Sequence, residues 1–135
     1  MKEFTDTDAG KACHELALSV YEVTRPLLDT EPEIAHSLWL AALLAAAKLA
    51  HGIGSGSRVS LIEYVGISCG HLSEVMYHLD LAHAMGLIAD DVHQRLGAMR
   101  GRASFYVGKH LEASIPELDS HDFERFEEEE REDWE

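Results

Sequence analysis

The chain has 135 residues, a length that fits one domain with a substantial hydrophobic core. Its formal net charge is −14, and residues 117–135, with eleven acids and two arginines, account for −9 of that total. An acidic charge of this size excludes binding of nucleic acid through the overall field of the protein. With only 3 prolines and many alanines and leucines, the composition favours an all-helical fold.

Two cysteines, Cys13 and Cys69, fall on different predicted helices. Since the sequence carries no recognisable signal peptide, we expect both to be reduced thiols packed at the edge of the core of a cytoplasmic protein.

The first predicted helix spans Thr7–Leu28. Its apolar residues recur every three or four positions and therefore lie on one side of the helix. Asp6 or Asp8 is available as its N-cap. Pro26 predicts a bend or an early end, because proline removes a backbone hydrogen bond and clashes with the preceding turn.

The second predicted helix begins at the capping signal Thr30-Glu31-Pro32-Glu33 and runs to about His51. Every residue from Leu38 to Ala47 is apolar. That run is shorter than the roughly 18–20 residues of a membrane-spanning helix, so we expect it to be covered by protein. The glycine-rich stretch that follows lacks the strand and GK[ST] context of a nucleotide-binding loop, and it predicts a turn between helices.

Two more helices follow. The third starts near Ser57 or at the capping box Ser60-x-x-Glu63, and it ends at about Met85 with Gly86 as its C-cap. The fourth runs from Asp90, its predicted N-cap, to about 113. Four amphipathic helices with short links predict an all-α, antiparallel up-down-up-down four-helix bundle over residues 1–116. Residues 117–135 are expected to form an acidic, flexible tail.

The second helix carries more apolar residues than one core stripe requires. On the helical wheel, Leu40, Leu43 and Leu44 widen its apolar side beyond the face that a four-helix bundle covers. Extra apolar surface on a soluble protein usually marks an interface. These three leucines therefore predict contacts between subunits of a homo-oligomer.

Several stretches resemble one family of small helical proteins. They are Val20-Tyr21 with Thr24, the alanine-rich second helix ending in Gly52-Ile53-x-x-Gly56, and the run Ser60–Val75. The family is the four-helix-bundle proteins of intervening sequences in bacterial 23S ribosomal RNA genes. The accessory variability determinant of diversity-generating retroelements resembles the same group.

This resemblance, which covers roughly residues 9–113, implies a ring-shaped homopentamer and does not imply an enzyme. The retroelement relatives are basic, and they bind nucleic acid and a reverse transcriptase. Here the turn reads Gly-Ile-Gly-Ser-Gly where many relatives have Asn-Ile-Ala-Glu-Gly, His71 replaces a usual serine, and the net charge is negative.

Two groups of polar residues are candidates for a site. His71, Glu74 and His78 share one face of the third helix and form a weak candidate for a divalent metal site. The alternative is that they are polar positions beside the core or at a subunit interface.

Arg95, Arg102 and Lys109 are seven residues apart and form one stripe on the fourth helix, to which Arg58 and Arg100 are candidate additions. The stripe would contact phosphate, the acids of a partner, or the acidic tail of its own or a neighbouring chain. A solvated helix face is the alternative.

The sequence contains no recognisable catalytic constellation and no cofactor motif. We therefore expect a non-enzymatic, homo-oligomeric scaffold or adaptor that binds another protein and no membrane. The alternative is a nucleic-acid-binding accessory protein that acts with a reverse transcriptase or an RNA partner, for which the stripe on the fourth helix is the sequence support.

Overall fold

The computed structural model describes residues 3–114, which form an all-α four-helix bundle. The helices are α1 (Asp8–Thr24), α2 (Pro32–Gly54), α3 (Arg58–Ala84) and α4 (Asp90–Ser114). Short 3₁₀ turns at Phe4–Asp6 and Arg25–Leu27 flank α1. The predicted acidic tail, residues 117–135, lies outside the described residues.

Each helix packs against two others. Within residues 3–114, α1 and α3 each contact both α2 and α4, whereas α1 and α3 do not contact each other. One cluster of buried apolar side chains from all four helices fills the space between them. Its largest fully buried members are Leu16, Leu38, Leu49, Leu72, Leu79 and Leu96.

The start of α1 is capped by Thr7, and the prediction of Asp6 or Asp8 was wrong. The Thr7 hydroxyl oxygen accepts a hydrogen bond from the Gly10 amide at 2.9 Å. Gly10 is required there, since a Cβ atom would lie 1.8 Å from the carbonyl oxygen of Phe4. At its other end α1 stops at Thr24, and Pro26 lies in the 3₁₀ turn that follows, Arg25–Leu27. Proline thus gives an early end to the helix.

The ends of α2 also differ from the prediction. The helix begins at Pro32 after Glu31, and no side chain forms a capping hydrogen bond there, so the predicted capping box is not formed. The helix continues to Gly54 and includes Gly52, beyond the predicted end at His51. Among Gly52, Gly54 and Gly56, it is Gly56, whose φ is 68°, that takes the left-handed conformation typical of a helix end.

The remaining caps are partly as predicted. Ser57 caps α3 by accepting from the Ser60 amide at 3.3 Å, which replaces the predicted box beginning at Ser60. Gly86, with a φ of 75°, closes the end of α3 and confirms its predicted role. Asp90, the predicted N-cap of α4, is instead its first helical residue.

The length of α2 changes one expectation. At 23 residues it is long and apolar enough to cross a membrane by length and composition alone, although the apolar run inside it is shorter. The central helix of a soluble bundle passes the same test, and α2 contributes Leu38, Ala42, Ala45 and Leu49 to the core. Even so, the rest of the protein buries only 33% of the apolar 18-residue window of this helix.

Candidate functional site

The outer face of α2 consists of His36, Leu40, Leu43 and Ala47, which are spaced by four, three and four residues and are all exposed. Leu40 is 37% exposed and Leu43 is 38% exposed. Leu44, the third predicted interface residue, is half-buried. The structure therefore brings two of the three predicted leucines to one solvent-facing stripe.

A second exposed stripe with apolar character lies on α3. The outer face of α3 consists of Val59, Gly66, Gly70, Ser73 and Tyr77, which are all exposed. No atom lies within 4 Å of where a Cβ would stand on either glycine. Glycine and serine allow the backbone of another helix to come close to α3 along this stripe. Sequence reasoning overlooked the glycines between Val59 and Tyr77.

The predicted basic stripe on α4 is exposed and includes an aromatic ring. We call Arg95, Arg102, Phe105 and Lys109 the α4 basic-aromatic face. The Nζ atom of Lys109 lies 5.6 Å from the centre of the Phe105 ring, which is 58% exposed, and the Arg102 guanidinium lies 5.6 Å from the centre of the Tyr106 ring. Cation–π contacts of this kind hold the long basic side chains along the helix.

The ion pairs of this face are few. Lys109 lies 3.4 Å from Glu112, one turn further along the same helix. Neither Arg95 nor Arg102 forms an ion pair with any carboxylate of residues 3–114. Their charge is therefore available to an acidic group from elsewhere.

The other two candidate bases do not join this face. Arg100 is half-buried, and its Nη1 atom donates to the Ser104 hydroxyl at 3.4 Å. Its Nε atom is buried and has no hydrogen-bond partner in the described part of the chain. Arg58 is exposed at the start of α3, a different helix.

The candidate metal ligands on α3 are only partly brought together. Nδ1 of His71 and Oε2 of Glu74 are 3.2 Å apart. His78 is half-buried, and its ring contacts Tyr77 edge-on. Among residues 3–114, no three histidine, cysteine or acidic side chains gather in a way that could hold a metal ion.

A histidine cluster at the α3–α4 corner was missed by sequence reasoning. The rings of His83 and His93 stack with their centres 4.1 Å apart and their planes 5° apart. Nε2 of His83 lies 2.6 Å from Asp90, and Nε2 of His93 lies 2.8 Å from Asp80. The hydrogen bond and charge of His83 lower the pKa of Asp90 below its ordinary value. These partners are seven and thirteen residues apart, so only the packing of α3 against α4 reveals them.

The two thiols lie in apolar surroundings. Burial, with the Cys69 thiol as a smaller cause, raises the pKa of Cys13 to about 12. Burial also raises the pKa of Cys69. Both thiols are therefore protonated at neutral pH, a state in which a cysteine is a poor nucleophile.

A cleft of about 450 Å³ separates the start of α1 from the end of α4. Asp6 and Asp8 line it on the α1 side, and Tyr106 and Lys109 line it on the α4 side. The lining therefore carries two carboxylates and one ammonium group, and its charge does not favour an anionic ligand.

No protein-family model matches this chain, and no curated protein or solved structure is significantly similar to it. The resemblance to the intervening-sequence proteins therefore stays a prediction. The functional argument rests on the outer face of α2 and on the α4 basic-aromatic face.

Proposed function

We propose that this protein is a non-enzymatic, homo-oligomeric scaffold or adaptor of the cytoplasm, built as an antiparallel up-down-up-down bundle. Contacts between successive helices support the antiparallel order. Ser68 of α3 donates a hydrogen bond to the Ala45 carbonyl of α2, while a Cβ on Gly52, nearer the end of α2, would meet Tyr64, nearer the start of α3. The last pair has the same order: Asp90 at the start of α4 contacts His83 of α3, while His93, further along α4, contacts Asp80, further back in α3.

The observation that carries the oligomer is the exposure of α2. Among residues 3–114 it is the helix that is long and apolar enough for a membrane, yet only 33% of its apolar 18-residue window is buried by the rest of the protein. From Ile34 to Ala47 it contains no Asp, Glu, Lys or Arg. A second protein surface covering Leu40 and Leu43 would remove this apolar area from water, at roughly 25 cal/mol per Å².

The occupant that we propose for this surface is another copy of the same chain. The family resemblance favours a ring-shaped homopentamer. In a ring, each copy presents one face to the next copy and a different face to the previous one. The outer faces of α2 and α3 provide two such apolar surfaces on each chain.

A charge placed on the outer face of α2 tests the oligomer. Leu40→Glu is expected to reduce the particle mass towards the 15.0 kDa of one chain in light scattering. The helical circular dichroism should stay unchanged, because Leu40 is partly exposed already. The matched control is Leu18→Glu, since Leu18 is an exposed leucine of α1, 51% exposed, and its change should leave the oligomer intact.

Three outcomes would count against the oligomer. A wild-type chain that is monomeric at high concentration refutes self-association. Unfolding of the Leu40→Glu variant would mean that this face belongs to the core of one bundle. Flotation of the wild-type chain with lipid vesicles would assign α2 to a membrane, in contrast to our proposal that it binds none.

The second candidate function is that of an accessory protein that binds nucleic acid together with a reverse transcriptase or an RNA partner. The α4 basic-aromatic face favours it, because basic side chains beside an exposed ring suit a single strand that stacks its bases. A gel-shift titration at low salt, with the full chain and with a chain lacking residues 117–135, tests this function. Absence of a shift with both forms rejects it.

A further inference from the structure

Positive charge is concentrated on one helix of an otherwise acidic protein. Residues 92–111 of α4 contain four bases and no acid, while the whole chain carries −14. Eleven of the 25 acids lie in residues 117–135, which follow α4 almost directly because that helix ends at Ser114. The most basic and the most acidic segments of the chain are therefore neighbours in sequence.

We infer that the acidic segment 117–135 docks on the α4 basic-aromatic face of its own chain. Two cations of this face, Arg95 and Arg102, have no carboxylate partner among residues 3–114. Phe105 exposes an apolar ring between them and Lys109. The acidic segment offers carboxylates for the cations and three aromatic residues, Phe123, Phe126 and Trp134, for the ring.

The length of the segment is sufficient. Arg95 lies 19 residues before Ser114, which is about 29 Å along a helix that rises 1.5 Å per residue. The 21 residues after Ser114 can span at most about 69 Å, at roughly 3.3 Å per residue. The chain can therefore turn back after α4 and run along the face as far as Arg95.

The attached segment has an advantage over a nucleic acid strand for the same cations. Because it is covalently linked, it is present at an effective concentration of roughly millimolar. Its eleven carboxylates also repel phosphate from the region of the face. A nucleic acid would have to displace the segment before it reached Arg95 and Arg102.

Tryptophan fluorescence of the full chain tests the docking. The chain has 2 tryptophans, so Trp39→Phe leaves Trp134, inside the acidic segment, as the sole reporter. In this background, the double variant Arg95→Gln/Arg102→Gln is compared with a matched control, the double variant Arg25→Gln/Arg58→Gln. Both pairs remove two exposed positive charges, and the control pair lies off α4.

Docking should shield Trp134 from acrylamide. We expect quenching in the control pair to stay low. In the Arg95/Arg102 pair it should rise to the level of an isolated peptide of residues 115–135. Salt at roughly 1 M, where the Debye length is about 3 Å, should raise the quenching of Trp134 in the control double variant. It should not raise it in the Arg95/Arg102 double variant, in which the segment is already released. If the Trp39→Phe chain does not fold, the difference between wild type and Trp134→Phe gives the same reading.

Equal quenching in the two variant pairs would overturn the inference. A rise in quenching on dilution would overturn it as well, because the segment would then lie on a neighbouring chain. A third refutation is an oligonucleotide that binds the full chain tightly at low salt without changing the quenching of Trp134. Leu40→Glu should retain the shielding, so failure of the proposed oligomer and failure of the docking are distinguishable.

Discussion

The helices α2 and α4 have similar lengths, 23 and 25 residues, but face solvent with opposite chemistry. The outer face of α2 presents Leu40, Leu43 and Ala47, whereas α4 presents Arg95, Arg102 and Lys109 around Phe105. Each helix also supplies one stripe to the shared core. The residues beyond that stripe indicate the kind of partner: apolar surface suits another protein, and positive charge suits an anion.

The two helices also differ in how they meet α3. The contact of α2 is close and buried, with Gly52 beside Tyr64 and the Ser68 hydroxyl donating to the Ala45 carbonyl at 2.7 Å. The contact of α4 includes exposed polar pairs at its start, and a Cβ on Gly97 would meet α3 only at the end of the Met76 side chain, 3.8 Å away. The α2–α3 contact is therefore closer than the α3–α4 contact.

The largest expected effect separates the two sides of α2. Leu38 is 0% exposed, and Leu38→Ala should lower the free energy of unfolding by about 2–5 kcal/mol, through lost burial and the cavity left behind. Leu40→Ala, two positions along the same helix, should have a much smaller effect at a concentration where the chain is monomeric. Urea unfolding followed by circular dichroism measures both.

The concentration dependence of the same pair sharpens the comparison. If Leu40 lies at a subunit contact, its truncation should destabilise the protein more as the concentration increases, since assembly adds to stability. Leu38→Ala should cost about the same at every concentration. If both substitutions lower the free energy of unfolding of the monomer equally, then Leu40 belongs to the core and does not lie on a solvent-facing side of α2.

A smaller effect is expected at the α2–α3 seam. A Cβ on Gly52 would lie 2.9 Å from the Cβ of Tyr64, an atom that cannot move without its backbone. Gly52→Ala should therefore force the helices apart and cost about 1–3 kcal/mol, as overpacking does. Gly54→Ala is the control, because no atom lies within 4 Å of its Cβ position, and alanine there should be neutral or slightly stabilising. A stable Gly52→Ala variant would contradict the close packing of this seam.

The periodicity of apolar residues was sufficient to predict the four helices. Leu38 and Leu49 of the second predicted helix, and Leu72 and Leu79 of the third, are fully buried. The errors lie at the ends of helices, where several residues with similar chemistry compete. Thr7 caps α1 in place of the neighbouring aspartates, since its hydroxyl oxygen is the one that reaches the Gly10 amide. Gly52 continues α2 because glycine fits the contact with Tyr64, a contact that the sequence does not display.

The candidate sites were predictable to the extent that they lie on a single helix. Arg95, Arg102 and Lys109 share a face because seven residues make nearly two helical turns, and the structure exposes all three. Arg100 does not join them, because its half-buried guanidinium group bonds to Ser104. The His83–His93 stack needs the relative position of two helices, which periodicity within one helix does not determine.

The smallest expected effect concerns the corner where α4 begins. The hydrogen bond from His83 lowers the pKa of Asp90 below its ordinary value of 3.8. A carboxyl group with a lowered pKa stabilises the fold above its unfolded-state value and loses that contribution as the pH falls through its folded-state value. His83→Gln should therefore raise the NMR titration midpoint of Asp90, and the stability of the variant should fall less than that of the wild type as the pH drops below about 4. His36→Gln, on the outer face of α2, is the control and should leave that midpoint unchanged. An Asp90 midpoint that is the same with and without His83 would mean that the hydrogen bond between these two residues does not stabilise the corner where α3 meets α4.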